Sequence, residues 1–245
     1  MNRFSHQTIG SARPNRVARA LLALAMVALI VSILITSVEF CAKDSKWLRS
    51  EYLKLDISEY TGMSVDDMCS AFTTMVNFMT GKSDSMSVKV ECFGYEVEMY
   101  DDREIEHMYD VRELYSGVMN ARTALLILAA IGIAVFTLTE KTDRLYRICR
   151  CYLICLAAVV GAIVLICTWA ALDFSDFWII FHIIFLDMEG SIFDPAISRM
   201  IQICPEKLFF DMIIRIFTIG LGVCIAIAGV MSIYLLIRSK NKKAA

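Results

Sequence analysis

The stretch CYLICLAAVVGAIVLICTWAAL, Cys151–Leu172, contains no Asp, Glu, Lys, Arg or His. A hydrocarbon core about 30 Å thick is crossed by roughly 20 helical residues. Lipid offers the backbone no hydrogen-bond partner, so such a run satisfies itself as a helix. Arg150 bounds it on one side and Asp173 on the other. The segment sets the fold class: this chain is built to cross a membrane.

Three further runs share that character: Ala20–Val38, Thr123–Thr139 and Ile216–Ile237. Thr123–Thr139 is the shortest, and it spans comfortably if Arg122 snorkels to the interface. The mean hydropathy of +0.59 and the 58% hydrophobic content are concentrated in these runs rather than spread by amphipathic periodicity. The first run has a basic front (Arg3, Arg13, Arg16, Arg19) and could be mistaken for a signal peptide. It exceeds the roughly 7–15 residues of a signal-peptide core. Ser37-Val38-Glu39-Phe40-Cys41 also lacks the small-x-small cleavage pattern. It is read as a retained anchor.

Basic residues near the spans set the orientation. The leader carries four Arg and no acid, and the tail carries Arg238, Lys240, Lys242 and Lys243 with no acid. The 140–150 loop adds Lys141, Arg144, Arg147 and Arg150. All three belong on the cytoplasmic side. Between the first two spans acids outnumber bases by roughly two to one. The net charge of −2 therefore conceals a basic interior side and an acidic exterior side. Neither points to nucleic acid, because the basic clusters stand where the positive-inside rule alone puts them.

The expected fold is an all-α polytopic membrane protein with four transmembrane helices and a small extracytoplasmic cap, helical or α+β. Its plan is a leader 1–19, spans 20–38, 119–139, 151–172 and 211–237, outer regions 39–118 and 173–210, an inner loop 140–150 and a tail 238–245. In the first outer region Ser64 reads as an N-cap, with Met68, Phe72, Met75 and Met79 at helical spacing behind it. Val88–Tyr100 suggests a short hairpin around Gly94, with Val88 and Val90 against Tyr95 and Val97. A second helix starts at Asp101-Asp102 and can run straight into the second span. In the second outer region Phe177–Leu186 is apolar and aromatic but too short to span, which fits an interfacial element. Cys41, Cys69, Cys92 and Cys204 fall outside, where pairing and free thiols are both open.

The spans hold essentially no ionisable residue away from their ends, which disfavours ion-coupled transport. His6 sits in the leader; His107 and His182 both fall outside, near span ends. Histidine suits proton transfer near neutrality. Asp110 lies three residues after His107, on the same helical face, where a carboxylate can orient an imidazole. His182 stands among apolar and aromatic residues, which favour an uncharged ring. Residue by residue, the ordinary alternatives weigh more: an interfacial anchor for His182, a solvated surface residue for His107 and packing for the methionine stripe.

Two segments carry the reading further. Glu106–Tyr115 contains His107-x-x-Asp110-Val111-Arg112-x-Leu114. It resembles the His-x-x-Asp-Val-Lys/Arg-x-Leu signature of a bacterial integral membrane family that includes the lipoprotein intramolecular transacylase. Phe177-Trp178-x-x-Phe181-His182, then Phe193-Asp194-Pro195 and Ile203-Cys204-Pro205-Glu206-x-x-Phe209-Phe210, look like its second signature. Order, separation and four-span layout agree over nearly the whole chain. Two positions depart: Ser191 where the family often has Trp, and Ser198 where it often has Asp.

The resemblance implies an enzyme without metal or cofactor, acting on lipoproteins whose N-terminal cysteine carries an S-linked diacylglyceryl group. It moves the sn-2 acyl chain to the α-amine of that cysteine, at the outer leaflet among membrane lipids. His182 is then expected to shuttle the proton, with His107, oriented by Asp110, steadying the carbonyl oxygen. Tyr109, Arg112, Trp178, Phe181 and Asp194 are further candidates for substrate contact. A non-catalytic sensor or assembly protein and another lipid-modifying enzyme remain as alternatives. The absence of a Gly-x-Ser-x-Gly elbow counts against a serine esterase.

Overall fold

A computed structural model describes residues 16–186 and 193–244. The leader up to residue 15, with His6, and the departure at Ser191 lie outside the described residues. Four helices are long and apolar enough to cross a membrane: α1 (Arg16–Ala42), α5 (Asp102–Thr139), α6 (Arg144–Leu172) and a final helix from Glu206 to Ala244. Between α1 and α5 come α2 (Ser45–Leu55), α3 (Ser58–Thr61), α4 (Val65–Met79), β1 (Lys89–Cys92) and β2 (Tyr95–Glu98). After α6 follow α7 (Phe174–Phe185) and α8 (Arg199–Ile203), so the final helix is α9.

The spans approach closely where side chains are small. A Cβ at Gly132 of α5 would lie 2.7 Å from the Cβ of Ala25, and one at Gly220 of α9 would lie 2.8 Å from Leu34 and Ser37. Without a hydrophobic force between helices in lipid, such close packing and interhelical hydrogen bonds hold the bundle. Tyr152 of α6 donates one of these bonds to the Cys224 carbonyl of α9 at 3.0 Å. Leu165, Ile166, Val230 and Leu236 stay exposed on the outer faces, where lipid covers them. Arg122 is held in place by an ion pair with Glu39 of α1, and this pair neutralises the charge at that end of the second span.

The cap has its own core. Met63, Met68, Ala71, Phe72, Phe78, Met86, Val90, Met99 and Met108 pack against Leu48 and Tyr52 of α2 and Ile203 of α8. Ser64 caps α4 by accepting from the Asp67 N–H, and the Met68–Phe72–Met75 stripe faces inward, as its spacing predicts. The hairpin pairs Val90 with Val97 and Cys92 with Tyr95, and Phe93 and Gly94 turn it with φ of 51° and 83°. Both positive angles match the right-handed strand twist. Gly62 (φ 66°) admits no side chain, because a Cβ there would sit 2.5 Å from the Phe93 ring. All nine cysteines are free, the outer four among them.

α5 runs unbroken from the cap into the second span. Its start is a capping box: Asp101 accepts from the Glu104 N–H, and Glu104 accepts from the Asp101 N–H.

Candidate active site

The histidines meet at the seam between cap and spans. His107 rides on the cap portion of α5 and His182 on α7; their rings stack with centroids 6.1 Å apart and planes inclined by 20°. Phe193 closes a third side, edge-on to His107 at 5.5 Å. Trp178, one turn before His182, touches its ring at 4.7 Å and stacks on Phe209 of α9 at 4.5 Å. Phe181 lies edge-on to His182 at 5.6 Å. Two imidazoles thus face each other inside an aromatic enclosure.

They differ in setting. His107 is buried, against the expectation of a solvated surface residue, while His182 is half-buried. Burial pushes the His107 pKa down to about 4, the nearby His182 pushes the same way, and the Asp110 charge opposes both. His107 is therefore neutral throughout the physiological range. The Nδ1 of His182 lies 2.8 Å from the Trp178 carbonyl oxygen, one helical turn back. A carbonyl can only accept, so Nδ1 carries a proton, and in the neutral ring Nε2 carries the lone pair.

The second outer segment is fastened by a carboxylate that the sequence did not single out. Glu104 is 2% exposed. Its Oε1 accepts from the Ser198 hydroxyl at 2.5 Å and the Met200 N–H at 3.1 Å, and its Oε2 from the Asp101 N–H at 2.9 Å. Arg199 donates to the Glu98 and Met99 carbonyls. These bonds pin the chain after Phe193 to the start of α5, one turn from His107. Ser198, one of the departures from the family pattern, is thereby absorbed into the fold. It also caps α8 by accepting from the Ile201 N–H. Arg103, one turn before His107, places its guanidinium 5.5 Å from the Phe193 ring centroid at the open edge.

The remaining sequence candidates are placed elsewhere. Asp110 is exposed and forms no hydrogen bond with His107, so its influence is charge alone. Tyr109 packs edge-on to Phe78 at 4.9 Å. Arg112 pairs with Asp84 at 3.0 Å and covers the Phe78 ring at 5.1 Å. At about 100° per residue, positions 109 and 112 point well away from position 107. Both serve the cap core and neither reaches the histidines. Asp194 accepts from the Ala196 N–H at 2.8 Å and shapes the turn that leads into α8.

The model of the lipoprotein intramolecular transacylase Lit family matches residues 23–210, more than half of the chain. The chain belongs to this family. The structure of Lit from Bacillus cereus superposes with a TM-score of 0.68 at 17% identity, covering 94% of this chain and 98% of that one. Two variants of that enzyme, with a histidine replaced by Arg or by Ala, give TM-scores of 0.67 and 0.66 at 15% and 16% identity. The first covers 93% of this chain and 94% of its own, and the second 94% and 96%. No curated protein matches the chain in sequence. At these identities the structural likeness fixes the Lit fold, and the family membership rests on the sequence match.

Proposed function

We infer that this chain is a lipoprotein intramolecular transacylase, converting an S-diacylglyceryl cysteine with a free α-amine into an N-acyl lyso-lipoprotein. The observation that carries the reading is the facing pair of neutral-capable imidazoles at the cap–span seam of a Lit family chain. The cap end is assigned to the exterior of a bacterial cell membrane and both termini to the cytoplasm. Arg144, Arg147, Arg150, Arg238, Lys240 and Lys242 all gather at the opposite end.

The α-amine has a pKa near about 8 and must lose its proton to attack. The amine that has already given up its first proton to solvent attacks the sn-2 ester carbonyl, and His182 takes on Nε2 the second proton, which the nitrogen sheds as the C–N bond forms. Becoming charged costs His182 no hydrogen bond, since Nδ1–H keeps its carbonyl partner in both states. The tetrahedral intermediate collapses by breaking the ester C–O bond, and His182 returns the proton to the glyceryl alkoxide. His107, which burial keeps neutral, acts as a hydrogen-bond donor to the oxyanion rather than as a second base. Amine and ester belong to one molecule, so proximity is supplied by the substrate and needs no covalent acyl-enzyme. Trp178, Phe181 and Phe193 line the acyl region and exclude water.

The transfer is an isomerisation, so intact mass does not change. Tandem mass spectrometry of a model lipoprotein co-expressed with this chain is expected to place an acyl chain on the cysteine nitrogen and one free hydroxyl on the glyceryl group. A product that keeps both ester chains and a free amine overturns the assignment.

A further inference from the structure

The end of the bundle away from the histidines carries a feature the reaction does not use. A shallow, open groove of about 590 Å³ lies there between α6 and α9. Tyr146, Arg150, Leu153 and the exposed Ile154 line it from α6, and Leu235 and the exposed Leu236, with two serines, line it from α9. From Tyr146 to Ile154 it runs about 12 Å along α6, from the polar edge into the apolar part of the span.

The charges at the mouth are unequal. Arg238 of α9 covers the Tyr146 ring at 5.2 Å, and its guanidinium is matched by Asp143. Arg150 covers the same ring at 5.7 Å and donates to the Tyr146 hydroxyl at 3.3 Å, but pairs with no acid among the described residues. An exposed cation at the membrane edge of a mostly apolar groove fits an anion that brings its own hydrocarbon. A free phosphate supplies only the first and an uncharged acyl chain only the second.

We infer that this groove binds one anionic phospholipid of the leaflet at the basic end. Its phosphodiester sits at Arg150 and the Tyr146 hydroxyl, and one acyl chain lies between Leu153, Ile154, Leu235 and Leu236. The lipid lies beside the α6–α9 contact that Arg238 makes with Tyr146 and Asp143. The site is remote from the histidines and takes no part in their chemistry.

Native mass spectrometry of the full chain in detergent, with phosphatidylglycerol, phosphatidylcholine or glycerol 3-phosphate added in turn, tests this. One phosphatidylglycerol is expected to survive activation at least about tenfold better than phosphatidylcholine, with glycerol 3-phosphate neither bound nor competing. Arg150→Gln is expected to abolish the preference and Arg150→Lys to keep most of it. Leu235→Trp, which fills the slot and leaves the charges intact, is expected to lose the lipid altogether. Equal retention of the two phospholipids by the unmodified chain, or full competition by glycerol 3-phosphate, overturns the proposal whether or not the variants fold. Undiminished binding in Arg150→Gln or in Leu235→Trp does the same.

Discussion

The two walls of the histidine site are built in opposite ways. The His107 wall is cap: a helix begun by a capping box, with Glu104, His107 and Met108 buried and a carboxylate tying it to the segment across the cleft. The His182 wall is α7, twelve residues none of which is fully buried. It is held by ring contacts from Trp178 to Phe174, Phe181 and Phe209, at 5.8, 5.7 and 4.5 Å. One wall is made of hydrogen bonds and a dry core. The other is made of aromatic faces against lipid. The difference parallels the roles proposed for the two rings: burial keeps the deeper one uncharged, and the shallower one is the proposed proton carrier.

That contrast can be broken most directly at the rings themselves. His182→Ala is expected to lower the transfer rate by about 10³–10⁴-fold and His107→Ala by about 10²–10³-fold, from the usual worth of a proton shuttle and of one oxyanion donor. Time-resolved tandem mass spectrometry of the N-acylated product measures both, and the reverse order would exchange their roles. Next in size is Glu104→Gln, which sets an NH₂ group against donors that now face a carboxylate. The expected loss is about 1–3 kcal/mol of cap stability, read from the melting temperature in detergent.

A comparable effect follows from pH. The folded His107 pKa of about 4 lies below the ordinary 6.5, so the unfolded chain binds the proton more readily than the folded one. The contribution is intact above about pH 6.5 and is lost as pH falls toward 4. It reaches on the order of 2 kcal/mol once screening at the open edge is allowed for. His107→Gln is expected to flatten that part of the stability profile, whereas His182→Gln, which removes only the smaller of the two downward pushes on the His107 pKa, is expected to shrink it and leave the part due to burial. Trp178→Ala removes the hub of the lipid-side wall, and the expected cost is about tenfold in rate with little change in cap melting. The smallest effect belongs to Arg112→Gln. It should change the rate less than about twofold, because its guanidinium serves Asp84 and Phe78 on the far side of α5.

The spans were legible because lipid imposes one rule on every backbone, and the hairpin was legible because Gly94 and the alternating valines permit few turns. The histidine pair was half legible. His182 and Trp178 stand four residues apart, the spacing that lets a ring nitrogen reach the carbonyl one turn back, yet the sequence shows only an aromatic run. Glu104 was invisible for a different reason. An acid in the first turn of a helix ordinarily faces water and favours the helix dipole. Only the return of Ser198 and Met200, over 90 positions later in the chain, buries it. Tyr109 and Arg112 mislead because a short motif gives order along the chain but not the side of the helix each residue takes. His107 looked solvated amid its charged neighbours, and tertiary packing over that one stripe of α5 makes it the driest titratable ring in the cleft.

The unbroken course of α5 couples the position of His107 to the bilayer. His107 stands 15 residues, about 22 Å, along the rod from Arg122, with no kink between to absorb a change of angle. A span adapts to a thinner or thicker membrane by tilting. Pivoting α5 by about 10° at Arg122 would carry the His107 ring sideways by about 4 Å, against the 6.1 Å between its centroid and that of His182. The Glu39–Arg122 clasp and the cap core resist that swing, which makes them the suspension of the histidine pair as well as its scaffold.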